Sequence, residues 1–164
     1  MTWFRRGHDN VPGRRPAEPE PDLSDTPDEL RRTLFQLVRF INQNSGRLPG
    51  PAVVGARRLT DTMREIIDTS EVRPLDVYAV VSVKATLHDY LPTTLRSYLA
   101  LDEELLQLPR QSGRTPVQSL LEQIEALQTS ADAVLVAAQN QDVDALLSQG
   151  NFLRTKFAGS DLDL

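Results

Sequence analysis

His88, Asp89 and Tyr90 stand side by side in the stretch "LHDYLPTTLRSYLAL", Leu87 to Leu101. A histidine beside a carboxylate can move a proton as general acid or base, and a tyrosine hydroxyl can steady a developing negative charge. These three are the chain's best candidates for catalysis, but their spacing works against them. Neighbouring residues on a helix point about 100° apart, so His88 and Asp89 do not face each other. His8 is the one other histidine, and no nucleophile or metal ligand converges on the cluster from nearby sequence. The residues favour a structural corner at Pro92, with catalysis by His88, Asp89 and Tyr90 as the minority reading.

Pro92 carries the structural reading. Inside a helix it frees the carbonyl four residues earlier, that of His88, and forces a kink; at the start of a new helix it costs little. Leu87, Leu91, Leu95 and Leu99 keep a four-residue spacing straight across it. Both halves therefore present one apolar line to the same core, and the stretch reads as a bend where one helix hands over to the next.

The rest of the chain lacks recognisable chemistry. It has no glycine-rich phosphate loop, no serine elbow and no paired-histidine helix motif. Without cysteine there is no disulfide framework, thiolate metal site or cysteine catalysis. No cofactor and no metal are expected. Asp61, Glu65 and Asp68 alternate with arginine on faces left to solvent. A net charge of −5 with no basic stripe argues against nucleic acid as the main partner. No run approaches the roughly 18 apolar residues of a membrane span, and the start "MTWFRRGHDN" has no apolar stretch of the kind a secretory signal carries.

The elements that must position these residues are helices. "TPDE" (26–29) sets Thr26 as cap, Pro27 in the first turn and Glu29 three on from the cap, and Leu30, Leu34, Leu37, Val38 and Ile41 follow at helical spacing. "LPGP" (48–51) opens a second helix that ends near Ser70. "PLDVYAVVSVKATLHDYL" is rich in valine, a strand former, yet no second strand is on offer to pair with it. Apolar residues lie on nearly every side of it, which predicts a central, fully buried helix.

"TPVQ" (115–118) repeats the start signal with Thr115, Pro116 and Gln118. The helix it opens, 116–139, carries Val117, Leu120, Ile124, Leu127, Ala131, Val134 and Ala138 at alternating spacings of three and four. Asp142 caps a last helix bearing Val143, Leu146, Leu147, Leu153 and Phe157. Residues 1–25, rich in proline and charge, are expected to be a disordered arm, and 159–164 an acidic tail. The sum is an all-α, antiparallel bundle of five or six helices over 26–158.

"DYLPTTLRSYLAL" resembles a segment of the bromo-chloro-indolyl phosphate hydrolysis (XpaC-like) family, in which a similar Tyr-Leu-Pro corner sits between helices. "QGNFLRTKF" is similar to the ending of a family of small, uncharacterised actinobacterial proteins. The first resemblance implies a link to toxic-anion or envelope stress and, by the family's name, a phosphate-ester hydrolase.

The residues themselves favour a non-enzymatic helical interaction or scaffold module in the cytoplasm. Its contact would be the 116–139 helix, through Leu121, Leu127 and Val134, with a protein partner or a second copy. A further alternative is a peripheral factor at the inner face of the membrane. Trp3 and Phe4, next to Arg5 and Arg6, would then give residues 1–6 a weak hold on an anionic surface.

Overall fold

The computed structural model describes residues 26–158; the expected arm over 1–25, with Trp3 and Phe4, and the tail over 159–164 lie outside the described residues. Among the described residues six α-helices follow in order: α1 (Pro27–Gln43), α2 (Gly50–Asp68), α3 (Val77–Ala85), α4 (Leu91–Leu99), α5 (Pro116–Asn140) and α6 (Val143–Lys156). No strand occurs among them, and the fold is an all-α bundle. None of these helices is long and apolar enough to cross a membrane.

The starts of α1 and α5 fall where the sequence places them, because each is written by a side chain close to the amide it binds. Thr26 Oγ1 accepts from the Glu29 N–H at 3.3 Å, with Pro27 in the first turn. Thr115 Oγ1 accepts from the Gln118 N–H at 3.3 Å, and Gln118 Oε1 accepts from the Thr115 N–H at 2.9 Å, a complete capping box.

α5 is the axis of the packing. Leu120, Ile124, Leu127 and Val134 are buried against a layer that includes Leu59, Met63 and Ile66 of α2. α2 can lie this close because residue 55 is glycine. A Cβ there would come 2.9 Å from Ile124 Cγ2, well inside van der Waals contact. Two polar bridges fix the register: Gln128 Nε2 donates to Thr62 Oγ1 at 2.9 Å, and Thr94 Oγ1 donates to Gln123 Oε1 at 3.0 Å.

The pairs α1/α2 and α5/α6, each joined by a short loop, run antiparallel. Arg31 at the start of α1 meets Asp68 at the end of α2, while Arg57 early in α2 reaches Asn42 at the end of α1. Ser130 of α5 likewise meets Gln149 of α6. α2 and α5 are separated by the α3–α4 run and lie side by side in the same direction, Gly55 near Ile124 and Thr62 near Gln128.

Two expectations change, and a third is refined. Leu127 and Val134, expected to meet a partner, are each 1 % exposed, and Leu121 is half-buried on the same core. The chain's own α2, α4 and α6 fill the α5 seam. A heptad pattern fixes which face of a helix is buried, not whose helix buries it.

α3 is a helix as expected, but it is not central. Ala79 and Val83 are buried, whereas Val77 and Val81 are 62 % and 54 % exposed. Its all-round apolarity comes from two surfaces, one on the core and one on an open groove.

The handover expected at Pro92 is present, with Pro92 in the first turn of α4, but the join takes a form the sequence did not show. α3 runs into α4 through one π turn, Thr86–Tyr90, in which the Leu91 N–H reaches back five residues to the Thr86 carbonyl. The widened turn takes up the ring that an α-helical turn would press on the carbonyl of His88. Four-residue steps drift about 40° each around an α-helix. Leu87, Leu91 and Leu95 are accordingly buried, Leu99 has rotated to a half-buried position, and Tyr98 takes its place in the core.

Candidate ligand-binding groove

The π turn separates the three residues singled out for chemistry. His88 and Asp89 are exposed, and His88 Nε2 lies 3.4 Å from Thr33 Oγ1 of α1. Tyr90 points elsewhere and stacks on Phe157, ring centroids 5.2 Å apart at 29°. Among the described residues no hydrogen bond joins His88 to Asp89 or Tyr90, and no group of three His, Cys, Asp or Glu could hold a metal ion.

Tyr90 instead closes one end of a groove of about 280 Å³ between α3 and α6. Both walls are set by local sequence. Asp76 caps α3, its Oδ1 accepting from the Tyr78 N–H at 2.8 Å. Ala79 and Val83 hold the inner face of α3, which leaves Tyr78, Val81 and Ala85 along the groove.

α6 arrives by a tight reversal. Gln141 takes the left-handed conformation (φ 59°), the Asp142 N–H returns to the Ala137 carbonyl at 2.9 Å, and Asp142 Oδ1 accepts from the Ala145 N–H at 3.0 Å. Leu146 and Leu153 are then buried against the core, and Leu147, Gly150 and Arg154 recur along the groove at steps of three and four.

The floor of this apolar channel carries one polar group. Ser82 is 3 % exposed, and its Oγ has no hydrogen-bond partner among the described residues. A helical serine or threonine can satisfy itself on the carbonyl four residues back, as Thr86 Oγ1 does on the Ser82 carbonyl at 2.9 Å. Ser82 Oγ does not; it faces the groove, beside Gly150 of α6. An unpaired buried hydroxyl costs about 1–3 kcal/mol, so its position needs a reason.

At the rim Arg154 donates to Asn151 Oδ1 and has no carboxylate partner among the described residues. No acidic residue lines the groove.

A larger hollow of about 400 Å³ lies beneath the connection after α4, lined by Arg47, Tyr98, Asp102 and Glu103 among others. Its walls mix both charges, and Arg47 is already engaged with the Leu99 carbonyl at 2.8 Å. Among its lining residues no buried polar atom is left unpaired. The α3–α6 groove is the stronger site because it combines apolar walls, a buried free donor and a rim cation.

The sequence reading passed over Ser82, Gly150 and Arg154. The signals available were a lone serine inside a valine run and a glycine in the middle of a helix without turn chemistry around it. Compared with known proteins, the chain matches no protein-family model, no curated protein and no solved structure.

Proposed function

We propose that this chain is a non-enzymatic binding module whose receiving surface is the groove between α3 and α6. The observation that carries the reading is the unpaired Ser82 hydroxyl on the floor of a channel walled by Val81, Ala85, Leu146 and Leu147. Ligand pockets are built this way, mostly apolar with a few placed polar groups that fix orientation. The binding role expected from the sequence is kept, and its contact moves from the α5 seam to a surface that the chain leaves open.

A neutral, apolar phenylnaphthylamine fluorophore tests the reading. The wild type is expected to bind it saturably at one site per chain. Leu147→Trp fills the groove from its exposed edge and is expected to abolish binding, while Phe35→Ser on the far side of the bundle leaves it intact. Equal binding by the wild type and Leu147→Trp would sink the proposal.

A further inference from the structure

Granting that the groove is the binding surface, we infer that its ligand is a small monocarboxylic acid with an apolar tail, its head group held between Ser82 and Arg154. Three observations converge on that chemistry. The first is the floor. Ser82 Oγ has no partner, and its hydroxyl can donate to an acceptor or accept from a donor; the rim cation and the absence of acidic lining residues favour an acceptor.

The second is the approach to that donor. The residue of α6 facing Ser82 is Gly150, and a Cβ at that position would stand 3.9 Å from Ser82 Oγ. This is ordinary contact distance, so an alanine would fit. Beyond α6 itself, no other heavy atom lies within 4 Å of the position a side chain would occupy, and Ser82 Oγ, itself shielded from solvent, borders it.

The third is charge. Arg154 follows Gly150 by four residues, hence on the same face of α6 and about 6 Å further along the axis. Its guanidinium meets an amide oxygen and no carboxylate among the described residues. A planar fork with spare donors is suited to a carboxylate, whose two oxygens can accept from the guanidinium and the serine hydroxyl together.

Size and charge balance exclude neighbouring ligand classes. A phosphate monoester brings close to two charges and three acceptor oxygens, and one guanidinium with one hydroxyl leaves much of it unmet. A protein helix laid in the groove would put apolar side chains over Ser82 and leave the donor buried and unpaired. About 280 Å³ lies at the small end of ligand cavities, which suits a short alkyl chain or a single ring system.

Decanoate, decanol and decylammonium share one tail and differ in head charge, and each can be titrated against the bound fluorophore. Decanoate is expected to bind about tenfold or more tightly than decanol, as for a hydrogen bond to a charged group, and decylammonium more weakly than either. Arg154→Gln should bring decanoate down to the level of decanol and leave decanol unchanged. Ser82→Ala, which removes an unpaired group and so keeps the fold, should weaken both.

If decanoate and decanol bind alike, or the preference for decanoate survives Arg154→Gln, the acid is wrong while the groove stands. If none of the three displaces the fluorophore, the acid is likewise wrong. If the protein sediments as a dimer that Leu147→Trp dissociates, a second copy covers the groove and both readings fall.

Discussion

The same substitution, glycine to alanine within a helix, should have opposite effects at two positions of this bundle. Gly150 lies mid-way along α6 and Gly55 in the first half of α2. Alanine is favoured over glycine in a helix interior by about 1 kcal/mol at either site. At Gly150 the new Cβ meets Ser82 Oγ at 3.9 Å, an ordinary contact, so most of that gain should survive. A gain of about 1 kcal/mol corresponds to a rise in Tm of roughly 2–5 °C for a domain of this size.

At Gly55 the Cβ would lie 2.9 Å from Ile124 Cγ2, against a comfortable separation of about 3.5–4.0 Å. Ile124 is buried, and a β-branched side chain in a helix has essentially one rotamer, so the methyl cannot swing aside. α2 and α5 must separate instead, and overpacking of this kind costs about 1–3 kcal/mol. The net expectation is a loss of up to about 2 kcal/mol. Urea unfolding followed by circular dichroism measures both variants against the wild type. A Gly55→Ala protein at least as stable as wild type, or a destabilised Gly150→Ala, would refute the packing argument. Gly150→Ala should also bind the fluorophore and decanoate more weakly, because the new Cβ takes up space in the groove beside Ser82.

Three further outcomes are expected. Thr115→Ala removes the accepting half of the α5 capping box and should cost about 1 kcal/mol in the same urea experiment, with Thr115→Ser recovering most of it. Burial pushes the Tyr98 phenol above its ordinary value near 10. The folded chain then holds that proton more tightly than the unfolded one, so the stability Tyr98 contributes is full below about pH 10 and is lost as pH rises further. Tyr98→Phe should flatten the alkaline decline, and parallel curves for the two proteins would contradict it. Finally, a binding module turns over no chromogenic phosphate ester with or without divalent metal; a rate that His88→Ala abolishes in a folded protein would put the hydrolase reading first.

What could be read from the sequence depended on how far apart the interacting residues are. Thr26 and Thr115 act on amides three residues away, and both helix starts were legible. The periodicity of α5 identified Leu120, Ile124, Leu127 and Val134 as one buried face, but no local rule states that Gly55 of α2 receives it. α3 was legible as a helix because a lone strand cannot satisfy its backbone. Its exposure was not, since a helix apolar on every side can be central or can border an open groove, and the two look alike in one dimension. The π turn before Pro92 escaped for a related reason: the leucine spacing is almost the same whether the helix bends, breaks or widens by one residue. Ser82 was the hardest to see. Its meaning lies in the hydrogen bond it lacks, and in a glycine 68 positions away that sets no side chain against it.

The two walls of the groove also arrive at very different times during synthesis. α3 is complete by Ala85, whereas α6 begins at Val143, after the whole of α5 has been made. Chains emerge at about 5–20 residues per second, so the apolar flank of α3 waits several seconds for the helix opposite it. Val77, Tyr78 and Val81 are then a feature of the nascent chain as well as of the finished one, and a chain interrupted after Asn140 carries that flank without its second wall. Such a product should be retained by chaperones that hold exposed apolar surface, even though the axis of the bundle is already in place.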